Sequence, residues 1–270
     1  MAKKKILFIN QEIVPYVPNS EMALMGRNLP QQMQDNGFDV RTFMPKWGNI
    51  NERRGQLHEV IRLSGLNIVI DDTDHPLIIK VASIPVSRLQ VYFIDNEDYF
   101  IKRRTMTEDE NGEEYADNGE RAIFFARGVL ETVKKLRWTP DIIHCQGWMA
   151  GVIPLYVKTA YHEDPTFANT KVITSLFENQ FRSTFGDKFK QCVGYGSAKV
   201  SLLDKYAEKF DFLELGKMAI DYSDAVIEAG KEVNKELKAY AENANKPILA
   251  YAGDNYVAAY KNFYNKLLAE

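Results

Sequence analysis

The sequence has few cysteines, no long apolar run near its start and no excess of positive charge, and each shortage argues against a class of protein. Two cysteines, Cys145 and Cys192, occur in 270 residues. Secreted disulfide frameworks normally need more cysteines at regular spacings, so both are expected to be reduced thiols in a reducing compartment. The formal net charge of −3 gives no electrostatic reason to expect a nucleic acid or an anionic membrane as partner.

The basic N-terminus is not followed by an apolar segment of the kind found in leader peptides. Lysines at positions 3 to 5 precede the apolar run Ile6 to Ile9, and Asn10 ends that run. The run is too short for the core of a signal peptide and far too short for a transmembrane helix. A cytoplasmic location without a membrane partner is therefore expected.

The composition is that of an ordinary globular protein, with 45% apolar and 26% charged residues. Short apolar runs such as Ile6 to Ile9 and Ile142 to Cys145 are typical of buried parallel strands. Strand and helix patterns alternate, which predicts one α/β domain over residues 1–270 with a mostly parallel sheet covered by helices on both faces. The predicted helices include one capped by Asn19 or Ser20 and others at about Gly119–Leu136, Trp148–Thr159, Ala198–Lys209, Phe212–Tyr222, Lys231–Ala241 and Asn255–Leu268.

Several segments resemble one family, the bacterial glycogen synthases and plant starch synthases. The pieces occur in family order from residue 5 to about residue 237, and this order carries the resemblance. They are Lys5–Tyr16 with its Glu12-Ile13-Val14-Pro15-Tyr16 turn, Gly37–Arg41, Met44–Trp47, Val91–Asn96, Asp117–Arg121, Phe124–Arg127, Pro140–His144 with Trp148, and Ser223–Val226.

The resemblance implies a fold and a chemistry. Members of the family transfer glucose from a nucleotide sugar, usually ADP-glucose, to the end of an α-1,4-glucan, and they have two Rossmann-like domains around a cleft, the GT-B arrangement. This chain is similar to the N-terminal half alone. The implied ligands are an α-glucan or a nucleotide sugar, no metal or other cofactor is implied, and a protein partner or a second copy of the chain is implied for the other half of the cleft.

The sequence departs from the family where the donor should bind. The family's Lys-Thr-Gly-Gly-Leu loop is replaced by Pro18-Asn19-Ser20-Glu21-Met22. The cation is lost, Pro18 has no N–H to offer, and Glu21 would repel a diphosphate. The family's His-Asp-Trp-His becomes Gln146-Gly147-Trp148-Met149, and the window Ser175–Asn179 lacks the family's histidine. We therefore expect the isolated chain to be inactive.

Two groups on the resembling segments are candidate cleft residues. Glu12 follows the first strand, where open α/β sheets bind ligands; the alternative is a carboxylate that braces the loop. Asp117, Asn118 and Arg121 begin a helix, and the resemblance places them on the acceptor side. Their alternative is a helix cap with a surface arginine one turn later.

Three further candidates cluster around the strand Ile142–Cys145. His144 matches a family position, although a strand-end histidine is more often structural than catalytic. Gln146 can hydrogen-bond a sugar hydroxyl but cannot carry a proton, and Trp148 could stack on a sugar ring or belong to the core. Cys145 and His144 cannot form a nucleophilic pair, because adjacent strand residues point to opposite faces. His58, His75 and His162 have no partner at metal spacing and are predicted on the surface.

Three functional hypotheses stay open from the sequence. The first is a glycosyltransferase half that binds an α-glucan or a protein partner without being active alone. The second is an active transferase that takes its second domain from another chain or another copy. The third is a regulatory or scaffold subunit of glycogen metabolism that has no sugar site.

The predicted C-terminal helix supplies a test. Its aromatic stripe is formed by Tyr256, Tyr260, Phe263, Tyr264 and Leu267, and we expect this stripe to pack on the face that a second domain would otherwise cover. Deleting residues 255–270 should expose this apolar surface and cause aggregation, measured by size-exclusion chromatography and thermal melting. A truncated chain that stays monomeric and equally stable would contradict the expectation.

Overall fold

The computed structural model describes residues 3–85, 87, 89–178 and 180–269. Asn179, the last residue of the window in which the family carries a histidine, lies outside the described residues. In the described ranges no helix has the length and apolar character that crossing a membrane requires.

The described strands form one nine-stranded sheet and a separate two-stranded hairpin, β4–β5. The order of the large sheet is β11-β10-β9-β8-β1-β2-β7-β6-β3. Every pair from β11 to β7 is parallel, whereas β6 pairs antiparallel with β7 and β3 pairs antiparallel with β6. The predicted mostly parallel sheet is confirmed. The strands are β1 Lys5–Asn10, β2 Asp39–Pro45, β3 His58–Glu59, β4 Asn67–Ile70, β5 Thr73–Pro76, β6 Ile78–Ser83, β7 Gln90–Asp95, β8 Ile142–Gln146, β9 Lys171–Leu176, β10 Ala225–Glu228 and β11 Ile248–Leu249.

Helices cover both faces of this sheet. They are α1 Glu21–Asp35, α2 Glu52–Gly55, α3 Asn118–Lys135, α4 Ile153–Lys158, α5 Phe189–Val193, α6 Phe212–Asp221, α7 Lys235–Asn243 and α8 Tyr256–Leu267. One face packs on α3, α4 and α6. The other face, built from alternate residues of β1, β8, β9 and β10, packs on α1 and α8. The predicted doubly covered sheet therefore has two separate cores.

Local signals placed α1 correctly. Ser20 is its N-cap, and the Ser20 Oγ accepts a hydrogen bond from the Ala23 N–H at 2.9 Å. Gly26, in the second turn, lets the loop after β1 come close, because a Cβ there would lie 2.3 Å from the carbonyl oxygen of Glu12. The second turn of α1 is thereby packed closely against the loop after β1.

Three local predictions were wrong. The predicted helix Ala198–Lys209 is only a 3-10 turn at Val200–Leu203, where Leu203 alone is buried, so no apolar stripe supports a longer helix. The predicted helix Trp148–Thr159 divides into a 3-10 turn and α4, which begins anew with a proline in its first turn. His75, expected on the surface, is buried and stacks on Tyr99 with ring centroids 4.5 Å apart.

Helix α8 is an integral layer of the second face. Tyr260, Tyr264 and Leu267 are buried against this face, and the Tyr264 hydroxyl lies 2.7 Å from Nδ1 of His144 on β8. One turn earlier in the helix, the Lys261 Nζ donates to the side chain of Asn36, which follows α1. Burying the aromatic stripe of α8 removes a large apolar area from water and stabilises this face.

Substitutions at Tyr264 should separate packing from hydrogen bonding. Tyr264→Ala should lower the free energy of unfolding by about 3–5 kcal/mol, because it leaves a cavity under the helix. Tyr264→Phe should cost about 1–3 kcal/mol, because His144 Nδ1 is left buried without its partner. Urea denaturation measures both values. Tyr251→Phe, at a tyrosine that is 42% exposed, is the control and should leave the free energy of unfolding unchanged. Equal stability of Tyr264→Phe and the native chain would contradict this account of α8.

Candidate functional site

The candidate site lies at the carboxyl edge of the sheet, between β1 and β8. The chain continues from β1 to α1 and β2 on one side of this point, whereas β8 lies on the other side. Open α/β sheets bind ligands at such a reversal of strand order, outside the carboxyl ends of the strands. The topology brings Glu12, Gln146 and Trp148 together at this edge, because β1 and β8 are paired through Asn10 and Gln146.

Glu12 is engaged in holding the loop between β1 and α1. Its Oε2 accepts a hydrogen bond of 2.6 Å from the Ser20 Oγ, the same hydroxyl that caps α1. The carboxylate therefore braces the helix start through Ser20. With Glu12 beside the cap and Glu21 in the first turn, two carboxylates lie where a helix N-terminus would otherwise attract an anion.

Asp117, Asn118 and Arg121 form a linked group at the start of α3. Arg121 is fully buried, so the interpretation of a surface arginine is wrong. Its guanidinium donates to the Asn118 side chain and to the Met106 carbonyl, each at 2.8 Å, and Asp117 pairs with Arg103.

Aromatic rings enclose the Arg121 guanidinium. Its central carbon lies 5.2 Å from the ring centres of Trp47 and Phe100 and 5.3 Å from that of Tyr115. Burial lowers the pKa of Arg121 to about 10, so the side chain stays charged at neutral pH. The cation–π contacts offset part of the desolvation cost of this cation. Arg121 thus joins the start of α3 to the loop that carries Met106.

His144 faces α8 and is fully buried. Its Nε2 lies 2.7 Å from the Ser175 Oγ, and its Nδ1 lies 2.7 Å from the Tyr264 hydroxyl. Burial lowers the pKa of His144 to about 3, so the ring is neutral. One ring nitrogen donates and the other accepts, and both hydroxyls can serve either role.

Gln146 lies one pleat further along the same face and is also fully buried. Within the part of the chain that the structure describes, neither its Oε1 nor its Nε2 has a hydrogen-bond partner. The Oδ1 of Asn10, the residue paired with it on β1, is likewise without a partner there. Trp148, another predicted site residue, has its Nε1 buried without a partner in the same described part of the chain, so the unsatisfied polar atoms of Gln146 and Trp148 lie on consecutive segments at this edge.

Trp148 begins the turn after β8 and is 4% exposed. Its ring packs on Phe181 and Phe185, with centroids 5.1 and 5.6 Å away. Its backbone N–H donates to the Gln180 side chain at 2.9 Å. The ring lines a small apolar pocket together with Phe177, Gln180 and Phe212.

A larger groove of about 620 Å³ adjoins this pocket. Its wall carries four carboxylates, one guanidinium, two amides and three apolar side chains, contributed by Glu108, Glu114, Asp211, Glu236, Arg182, Gln180, Asn234, Phe181, Phe212 and Leu213. These residues come from four loops or helix starts far apart in the chain. Sequence inspection missed them, because no local pattern marks a loop residue that faces a groove.

A pair of loops holds one wall of the groove in place. The Glu114 carboxylate accepts hydrogen bonds from the backbone N–H groups of Arg182 and Ser183 at 2.8 and 2.7 Å. Although burial opposes it, the hydrogen bonds from Ser183 and Arg182 lower the pKa of Glu114. The Arg182 side chain returns to Glu108 at 3.2 Å. This clasp joins the loop before α3 to the loop after β9.

Comparison with known proteins gives a consistent picture. The sequence model of the starch synthase catalytic domain family matches residues 5–247 of this chain. A glycogen synthase of Chlorobaculum parvum is 30% identical over 264 residues, 98% of this chain and 52% of that protein. A glycogen synthase of Chlorobium limicola is 40% identical over 172 residues, 64% of this chain and 35% of that protein. The chain thus spans about half the length, or less, of the curated relatives it matches.

A solved structure has the same fold. The catalytic domain of starch synthase IV from Arabidopsis thaliana, bound to ADP and acarbose, superposes with a TM-score of 0.75 at 17% identity. The match covers 93% of this chain and 51% of that one.

The burial of His144 predicts a pH dependence of stability. The pKa of His144 is about 3 in the folded chain and 6.5 for a free histidine, so between these values the unfolded chain binds more protons. The contribution of neutral His144 to the free energy of unfolding is complete above pH 6.5. As the pH drops from 6.5 toward 3, the free energy of unfolding should fall by about 1.4 kcal/mol per pH unit.

His144→Asn should flatten this part of the stability profile, measured by urea denaturation between pH 4 and pH 7. His162→Asn, at an exposed histidine, is the matched control and should leave the profile unchanged. A native slope that His144→Asn does not reduce would show that other groups cause the acid sensitivity.

Proposed function

Because the chain belongs to the family of the starch synthase catalytic domain, we propose that it binds an α-glucan along the carboxyl-edge groove and transfers no glucose unaided. It is a glycogen synthase-like glycosyltransferase domain. The observation that carries the proposal is the contrast between the polar and aromatic groove beside Trp148 and the two carboxylates, Glu12 and Glu21, at the start of α1.

The acceptor side has the chemistry of a sugar site. The groove beside Trp148 offers carboxylates and amides that can hydrogen-bond hydroxyl groups, and aromatic rings that can cover the apolar faces of a sugar. Its volume lies in the range of sites that hold small ligands. The groove wall has four carboxylates and one guanidinium. This excess of negative charge would repel an anionic ligand, so it favours a neutral polyhydroxyl ligand. The clasp of Glu114 with Arg182 and Ser183 pre-organises this wall, which lowers the entropic cost of binding.

The donor side lacks a means to hold a sugar diphosphate. Ser20 uses its hydroxyl to cap α1, and the carboxylates of Glu12 and Glu21 add negative charge there. Transfer of a glucosyl group depends on stabilising the leaving diphosphate in the transition state. The Arabidopsis relative binds ADP and acarbose, and its chain is about twice as long as the part that matches. Of these two ligands, acarbose supports a glucan here, whereas the carboxylates beside Ser20 argue against a diphosphate.

A second candidate is an active transferase in which another half completes the cleft. The observation in its favour is that 98% of this chain matches the glycogen synthase of Chlorobaculum parvum, but the match covers only 52% of that protein. The second half would come from another polypeptide or from a further part of the same one. A regulatory or scaffold role in glycogen metabolism stays the alternative if no glucan binds.

Glycogen co-sedimentation and a transfer assay test the proposal together. The chain should sediment with glycogen, and mixing it with ADP-glucose and glycogen should release no ADP. Gln180→Ala should weaken glycogen binding about tenfold, equivalent to about 1.4 kcal/mol for lost hydrogen bonds in the groove. Gln34→Ala, at the opposite end of α1, is the control and should bind as the native chain does. Turnover by the purified chain alone would refute the donor-side argument, and absence of glycogen binding would favour the regulatory alternative.

A further inference from the structure

Four charged side chains meet beneath the short helix α2. Lys46 directly follows β2, Lys80 lies on β6, and Asp95 is the last residue of β7. The Lys80 Nζ lies 2.9 Å from a carboxylate oxygen of Asp95, and Glu52 of α2 supplies the fourth charge. We call these four residues the charge cluster. Three of them lie on or directly after strands of the large sheet, whereas Glu52 lies on a helix at the surface.

One carboxylate oxygen joins the two lysines of the charge cluster. The Glu52 Oε1 is 2.8 Å from the Lys46 Nζ and 2.7 Å from the Lys80 Nζ. The two lysine side chains are 6% and 12% exposed, so both ammonium groups have lost most of their water. A buried cation needs a nearby anion to offset this desolvation. Asp95 pairs with Lys80, but within the described ranges Glu52 is the one carboxylate in ion-pair range of Lys46.

The element that supplies this anion is weakly attached. None of the four residues of α2 is buried, and the Glu52 side chain is 40% exposed. The cap of α2 is internal to the segment, because the Arg54 N–H donates to the Asn51 side chain. With no buried side chain of its own, α2 gains little from apolar burial. The two ion pairs of Glu52 are therefore its main attachment to the sheet.

We propose that Lys46 and Lys80 form a binding site for a small oxyanion such as phosphate, which the carboxylate of Glu52 occupies in this structure. Two ammonium groups that converge on one oxygen can make the same charge-assisted hydrogen bonds to a phosphate oxygen. Asp95 balances one of the two cations, so the cluster without Glu52 keeps one positive charge in excess. A bound oxyanion replaces Glu52 and thereby releases α2.

The charge cluster is separate from the groove proposed for the glucan, which other residues line. It borders the loop after β1 instead. Trp47 follows Lys46, and its Nε1 donates to the carbonyl oxygen of Gln11 at 2.8 Å. The oxyanion site therefore requires no glucan and does not depend on the proposed function.

Competition with Glu52 keeps the site weak in the native chain. A carboxylate attached to the same chain competes at a high effective concentration, and a site that is free for only a fraction of the time binds its ligand more weakly by that fraction. Removing the charge of Glu52 should therefore tighten anion binding. An ion-pair cluster with a purely structural role would show no such gain.

Isothermal titration calorimetry with inorganic phosphate tests the site. Glu52→Gln should bind phosphate about tenfold more tightly than the native chain, and adding Lys46→Met should remove the gain. Glu59→Gln, at an exposed carboxylate on β3, is the matched control and should bind as the native chain does. If Glu52→Gln is folded by circular dichroism and binds phosphate no more tightly than the native chain, the site is refuted. A gain that survives Lys46→Met would refute the assignment of Lys46.

Limited proteolysis of the native chain tests the release of α2 without any substitution. Arg53 and Arg54 are exposed on α2, and trypsin cleaves a folded chain where its backbone opens locally. Phosphate should speed cleavage after these two residues about fivefold. Cleavage after Lys199, an exposed lysine far away in the chain, is the internal control and should not change. Mass spectrometry of the fragments measures both rates.

Potassium chloride at the same ionic strength distinguishes a bound oxyanion from screening of the ion pairs, and it should leave the cleavage of α2 unchanged. Equal acceleration by chloride would refute the oxyanion site. Unchanged cleavage in phosphate would refute the release of α2. Neither experiment uses a glucan, so their failure leaves the proposed function standing, and a chain that binds no glycogen can still hold this site.

Discussion

Burial of a polar row at the carboxyl end of the central strands is the constraint on which this structure depends. Asn10, His144, Gln146 and Ser175 lie on the face that α1 and α8 cover, and each is at least nine-tenths buried. Polar groups in such a layer need partners, because water cannot satisfy them there. His144 finds two, Ser175 and Tyr264. Helix α8 is thus fixed by a polar contact as well as by its aromatic stripe.

The same constraint bears on Gln146, whose amide is buried in this layer. A glutamine stays neutral at every pH, so this layer can bury it without the cost of burying a charge. That cost would fall on any group that titrates near neutrality, as the low pKa of buried His144 shows. The family's histidine would face this penalty in the same buried position. A neutral amide therefore suits this position better than an ionisable ring.

Sequence patterns correctly predicted the strands and helices that are determined by residues close together in the chain. The apolar run of β1, the Ser20 cap of α1 and the periodicity of α3 each depend on residues within one element. The surface alternative for Arg121 and the surface position predicted for His75 were wrong, because the surroundings of both are distant in the chain. Trp47 and Phe100 enclose Arg121, and Tyr99 stacks on His75. The groove residues were missed for the same reason, since its loops meet only after the sheet has formed.

The two ends of this edge use their charges differently. Near the start of α3 a cation, Arg121, is enclosed by rings, and the carboxylate of Glu114 holds a neighbouring loop, so both charges serve the scaffold. At the start of α1 the cap hydroxyl of Ser20 is held by Glu12, which leaves negative charge there. A helix N-terminus flanked by carboxylates repels phosphate, whereas a hydroxyl-rich chain carries no charge to repel. The electrostatics at the start of α1 therefore disfavour an anionic ligand at that point.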